Sequence, residues 1–228
     1  MTVCTYRYEG IARRQGYAAV AGVDEVGRGS LFGPVVAAAV LYPHRHRFHI
    51  RGLRDSKQLT AMQRDMLDGL IRIHGRYGIG AADAKYIDEH GIRAATQLAM
   101  ARAIAALAEE AEYVLVDGDM RIEGLPLPQR TIVHGDSLSS SIASASIVAK
   151  VFRDGLVSSL AVNWPGYGLE RHKGYPTPEH LKALYELGPT PMHRMTFKGV
   201  QDPQAARIMD DWEEAVARKL GCQDQGGQ

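Results

Sequence analysis

Three apolar runs of this chain end in acids: "AVAGVDE" at Asp24 and Glu25, "YVLVDGD" at Asp117, and "TIVHGD" at Asp136. A single Asp after a strand is ordinarily a turn former or a helix cap, because its side chain bonds nearby backbone amides. Repetition changes that expectation. Strand ends of one open α/β sheet converge in space, and ligands bind outside such ends. Four carboxylates gathered there would repel one another unless a cation neutralised them. Hard oxygen donors suit Mg²⁺ or Mn²⁺, ions that keep several waters and complete their shells with substrate phosphate. Two such ions about 4 Å apart clamp the attacking and leaving oxygens of an in-line phosphoryl displacement. Asp136 precedes a serine-rich stretch and makes the best case for a cap, while Asp55 and Asp119 read as ordinary loop acids.

Past Val26, the doublet is followed by Gly27, Arg28 and Gly29. The stretch leads into another strand-like run and has no Lys-Ser/Thr pair, so neither nucleotide-binding fingerprint fits. Such a turn is usually structural. Three residues beyond paired acids, it could also let backbone groups touch a sugar or phosphate.

The elements that must position these residues can be read from hydrophobic period and punctuation. Strands are predicted over 17–23, 33–42, 76–82, 112–116 and 130–133, each bounded by Gly, Pro, Asp or charged residues. Helices are predicted after Thr60, across 91–111, and from the serines after Asp136 through Trp164, with a short one near 179–188. A last helix over about 203–220 spaces Ile208, Trp212, Val216 and Leu220 by four, and the tail after it is expected to be disordered. Strands early, then interleaved with helices, point to a mixed sheet covered by helices.

The 228 residues, 45% of them hydrophobic, suffice for one well-formed core. Cys4 and Cys222 lie near opposite ends with neither metal-knuckle spacing nor disulfide density, which fits a reducing compartment. The most apolar run, "GPVVAAAVLY", is about half the roughly 20 residues that span a bilayer. A soluble cytoplasmic protein without membrane contact is expected. The net charge of +1 says nothing about nucleic acid, but five basic residues (Arg45, Arg47, Arg51, Arg54, Lys57) face one acid, Asp55, between His44 and Lys57.

The blocks "AGVDEVGRGSLFGPVVAAAV", "DSKQL", "VLVDGD", "HGDSLSSSIASASIVAKV", "PGYGLERHKGYPTPEHL" and "GPTPMHR" occur in the order and spacing of bacterial ribonuclease HII, the type 2 ribonuclease H. The chain resembles that family from about residue 17 to 198. The resemblance implies an α/β fold, a ribonuclease H-like mixed sheet flanked by helices over 17–200; the apolar spacing predicts the helical C-terminal segment over 201–228. It implies Asp24, Glu25, Asp117 and Asp136 as catalytic, metal-binding carboxylates for two Mn²⁺ or Mg²⁺ ions. It implies that Gly27, Arg28 and Gly29 sense a ribonucleotide 2′-hydroxyl, that Tyr175 packs on the sugar at an RNA-to-DNA junction, and that Lys57 contacts phosphate. The implied substrate is an RNA/DNA hybrid, or duplex DNA holding a ribonucleotide; a monomer is the expectation for the protein itself. Three positions depart from the family pattern: Leu138 and Gln58 stand where lysines are usual, and Phe152 where threonine is. A rival of another class is a nucleic-acid-binding module whose acids are merely structural.

Overall fold

The computed structural model describes residues 4–43, 50–107 and 111–200. The basic residues Arg45 and Arg47 and the helix expected over 203–220 lie outside the described residues. The described residues divide into two compact units, the first drawn from 4–28 and 34–156, the second from 29–33 and 157–200.

The first unit is built on five strands: β1 (Val20–Val26), β2 (Val35–Leu41), β3 (Arg76–Ala82), β4 (Tyr113–Asp117) and β5 (Gln129–Ile132). Their order in the sheet is β3-β2-β1-β4-β5. β1, β2 and β3 form an antiparallel meander, whereas β4 and β5 run parallel to β1. All five strands predicted from sequence are present, with one informative difference. Asp24 and Glu25 lie inside β1 rather than past its end, because β2 continues the ladder beside them through the pairs Asp24↔Ala38 and Glu25↔Ala37.

The helices are α1 (Arg7–Arg14), α2 (Ala61–His74), α3 (Ala84–Ala105), α4 (Ser140–Ala161), α5 (Leu169–His172) and α6 (Pro178–Leu187). Thr60 caps α2 as expected, in a reciprocal capping box with Gln63. α3 begins earlier than predicted, at Ala84 after the Asp83 cap, and kinks at Gly91, whose φ of 81° is left-handed. Glycines set how closely helices approach the sheet. A Cβ at Gly80 would stand 2.2 Å from the Ala99 carbonyl oxygen of α3, and one at Gly22 would stand 2.3 Å from the Ile142 nitrogen of α4. α4 is buried all round its first half, from Ser140 to Ala149, as a central helix must be. Ala38, Val40, Leu67, Ile71 and Ile147 form the main core between α2, α4 and the sheet. Among the described residues no helix is long and apolar enough to cross a membrane.

The second unit has its own core of Leu31, Phe32, Val157, Tyr167, Leu169, Ala183, Leu184 and Val200. Its residues 29–33 are threaded through by backbone bonds: Leu31 N–H to the Gly174 carbonyl at 2.8 Å, Gly33 N–H to Met192 at 2.9 Å, and Arg194 N–H back to Leu31 at 2.9 Å.

Candidate active site

Register brings the acids together. β1 and β4 are parallel neighbours with Val23 opposite Val116, so the next residues, Asp24 and Asp117, leave the ladder side by side. Asp117 ends β4 opposite Ile132 of β5. Four residues beyond Ile132, a three-ten turn over Gly135–Ser137 presents Asp136, whose N–H donates to Asp117 Oδ1 at 3.2 Å. Gly135 makes this approach possible, since a Cβ there would stand 2.6 Å from Ile142 Cδ1 and 3.0 Å from Asp117 Oδ1. α4 adds a hydroxyl to the same place. It presses on β1 at Gly22 through Ser141 and Ile142, and Ser146, about one helical turn on, hydrogen-bonds Asp24, two residues along the strand.

Negative charge is concentrated here, and Arg28 and Lys57 offset only part of it. Asp24 is only 6% exposed. Burial, then the charges of Glu25 and Asp117, hold its carboxyl well above the usual carboxylate range, against the pull of hydrogen bonds from Ser146 and the Glu25 N–H. The latter bond is 2.7 Å long. Glu25 is also raised, by burial first and by Asp117, while Arg28 opposes from 3.3 Å. Asp136 is raised by burial, then by Asp117 and Asp55, with Lys57 opposing. Asp55 does the capping expected of a loop acid, accepting from the Lys57 N–H at 2.9 Å, yet it also adds negative charge beside Asp136. Among the described residues no three His, Cys, Asp or Glu side chains form a ready-made cage for an ion. Mg²⁺ does not require one, because it is held by one or two carboxylates with waters and substrate phosphates. An oxygen-only donor set whose members raise one another's proton affinity fits a hard divalent ion.

The remaining sequence candidates fall in two places. Gly27 has a φ of +88°, and a Cβ on it would lie 2.1 Å from Nε of Arg153, which is fully buried and donates to the Pro34 carbonyl at 3.0 Å. Only glycine fits that turn. Arg28 is exposed beyond its contact with Glu25, and with Arg93, Asp119 and Met120 it lines a cavity of about 190 Å³. Lys57 sits in the three-ten turn Ser56–Gln58. Gly29 and Tyr175 belong to the second unit, where they are tied together. Besides the Leu31-to-Gly174 bond, Ser30 Oγ donates to the Phe32 and Lys173 carbonyls, and a Cβ at Gly174 would press within 2.9 Å of Phe32 and Ser30.

Behind Tyr175 lies a histidine relay that sequence reasoning missed. The Thr190 N–H donates to His193 Nδ1 at 2.9 Å, which places the His193 proton on Nε2. That proton faces His180 Nε2 at 3.1 Å, leaving His180 Nδ1–H to donate to the Tyr175 carbonyl at 3.0 Å. Burial pushes His180 down to about 4 and His193 to about 3, so both are neutral at pH 7. Also missed were Ser146 and Arg153, which sit in an apolar-looking helix without any local signal. Ser139 rather than Asp136 caps α4, its Oγ accepting from the Ile142 N–H at 3.3 Å. The departure at Leu138 is explained by packing, since that side chain lies against the cluster of Ala12, Val20, Leu115, Ile132 and Ile142. Nothing in the structure explains Gln58 or Phe152.

The family model described as Ribonuclease HII matches residues 21–200. The ribonuclease HII of Syntrophotalea carbinolica is 50% identical over 190 residues, 83% of this chain and 90% of that protein. That of Geobacter metallireducens is 50% identical over 198 residues, 86% of this chain and 92% of its own. Among solved structures, ribonuclease H2 from Pyrococcus horikoshii OT3 superposes with a TM-score of 0.68 at 26% identity, covering 86% of this chain and 99% of that one.

Proposed function

The chain belongs to the ribonuclease HII family, and from that premise we propose that it cuts on the 5′ side of single ribonucleotides embedded in duplex DNA, leaving 3′-hydroxyl and 5′-phosphate ends. As a member it is a metal-dependent endoribonuclease, a hydrolase of the RNA strand in RNA/DNA hybrids. The observation that carries the finer reading is the parallel register of β1 and β4, which sets Asp24 beside Asp117, to which Asp136 is bonded in turn.

Asp24, Glu25, Asp117 and Asp136 would hold two Mn²⁺ or Mg²⁺ ions. When bound, these ions activate water and neutralise charge developing on the phosphate in an in-line displacement. Arg28 tempers the charge of Glu25, and Lys57 that of Asp136, before any phosphate arrives. Lys57 then has a phosphate within its natural chemistry.

Substrate choice falls to Gly27, Arg28, Gly29 and Tyr175. The Gly27 turn is held to glycine by its φ of +88° and by the buried Arg153 beside it, and within the second unit the backbone after Gly29 is bonded to the backbone before Tyr175. A fixed pair of this kind supports reading a 2′-hydroxyl and the adjoining sugar together. A site built around one hydroxyl rejects the analogue lacking it by roughly 10⁴-fold, because its polar groups are left unpaired. The test is kcat/KM on all-DNA, single-ribonucleotide and continuous-hybrid duplexes. All-DNA is expected to resist cleavage, and Tyr175→Ala is expected to impair the single-ribonucleotide substrate selectively. An unchanged ratio with a lowered Tm would make Tyr175 a structural loop residue.

A further inference from the structure

The N-terminal segment lies ahead of the residues matched by the family model, yet it is bonded to the stretch that carries Asp136. Thr5 bridges Ser139 in parallel, with Thr5 N–H to the Leu138 carbonyl at 3.2 Å and Ser140 N–H to the Thr5 carbonyl at 3.1 Å. The Cys4 thiol reaches the Asp136 carbonyl at 3.3 Å. One turn into α1, Glu9 is 1% exposed. Its Oε1 accepts from Ser139 Oγ at 2.7 Å, Ser141 Oγ at 2.7 Å and Ser141 N–H at 2.9 Å. A carboxylate from elsewhere in the chain thus satisfies an orphan amide at the start of α4, where the helix dipole favours negative charge. Its Oε2 is buried without a hydrogen-bond partner among the described residues, so the burial carries a cost.

We propose that Glu9 is a positioning residue for Asp136: by locking Ser139 and Ser141 it fixes the three-ten turn that carries Asp136 and from which the Asp136 N–H bonds Asp117 Oδ1. The proposal rests on the reading of Asp136 as a metal-holding carboxylate. Ordinary capping would need only Ser139, whose hydroxyl already serves the Ile142 amide. The additional hydrogen bonds, made by Cys4, Thr5 and Glu9, fall on residues 136–141.

Calorimetric titration with Mn²⁺, without nucleic acid and at a temperature where each variant is folded, tests this on Glu9→Ala, Glu9→Gln and Asp136→Asn. Glu9→Ala is expected to bind Mn²⁺ about tenfold more weakly, the scale on which losing a residue behind a ligand is felt. Glu9→Gln keeps an acceptor oxygen and recovers most of the affinity. A Glu9→Ala protein that melts lower but binds Mn²⁺ like wild type overturns the proposal. Should Glu9→Ala fail to fold, Ser141→Ala takes its place, since it deletes one donor and keeps the helix amide. Weakened Mn²⁺ binding by that variant supports the proposal, and unchanged binding overturns it. Asp136→Asn separates the two ways to fail. Undiminished binding there removes Asp136 from the metal site, whereas binding lost there but intact in Glu9→Ala removes only Glu9.

Discussion

The two units each bury a cluster of titratable side chains and treat it in opposite ways. In the second, His180 and His193 are shielded from solvent, neutral, and bonded at both ring nitrogens in a chain that ends on the Tyr175 carbonyl. In the first, Asp24 is buried beside Glu25 and Asp117, and each negative charge makes the next harder to hold. The histidines are complete as they stand. The carboxylates crowd negative charge that Arg28 and Lys57 offset only in part, which is the pattern the proposed ions would complete.

Asp117→Asn should break the first cluster most visibly. The amide is nearly isosteric but brings no charge to the cation, so turnover should fall by several orders of magnitude with duplex binding retained. Near-normal turnover at saturating Mg²⁺ would remove Asp117 from the ligand set. Asp119→Asn should be mild.

A smaller effect sharpens the second cluster. The folded-state values of His180 and His193 lie below the ordinary 6.5, so the unfolded chain takes up protons first as pH falls. Their contribution to stability is whole above about pH 6.5 and drains away toward about 4 and 3, at up to about 1.4 kcal/mol per pH unit for each. The raised carboxylates work with the opposite sign, because there the folded state binds the proton first and gains stability as pH falls through their raised values. Urea denaturation at pH 7.5 and 5.5 separates them. His193→Gln should lose about 1 kcal/mol of the acid destabilisation that the histidines cause. An identical pH dependence in wild type and variant would show that His193 titrates in the fold as it does in the unfolded chain.

The smallest expected effect belongs to Lys57→Ala. Binding should weaken on duplexes of any sequence, and the salt slope should fall by about one unit, the signature of one phosphate contact. An unchanged slope would leave Lys57 as a partner of Asp136 alone.

Much of this was legible in the sequence, and the gaps have physical causes. Alternation and punctuation marked all five strands, and the acids at their ends marked the candidate site. Pairing was not legible, because which strand lies beside β1 is decided by contacts some ninety residues away, such as Val23 with Val116. α1 was not anticipated, since "RYEGIARR" is polar and the residues it buries are Glu9 and Ala12. The relay from Thr190 to Tyr175 joins loop residues that no periodicity links. Ser139 was hidden by its neighbours: any of the serines after Asp136 could have capped α4, and the choice depends on where Glu9 arrives.

The central claim is that the carboxylates weigh against the fold until an ion reaches them. Because the folded-state Asp24 carboxyl is raised above its unfolded value, holding it at neutral pH costs stability, and Asp24→Asn removes that cost. Thermal melting of wild type and Asp24→Asn, with and without Mn²⁺, tests this directly. The account predicts that Asp24→Asn melts higher than wild type in chelator, and that Mn²⁺ raises the Tm of wild type but not of the variant. Equal melting in chelator with the same Mn²⁺ shift in both proteins would contradict it.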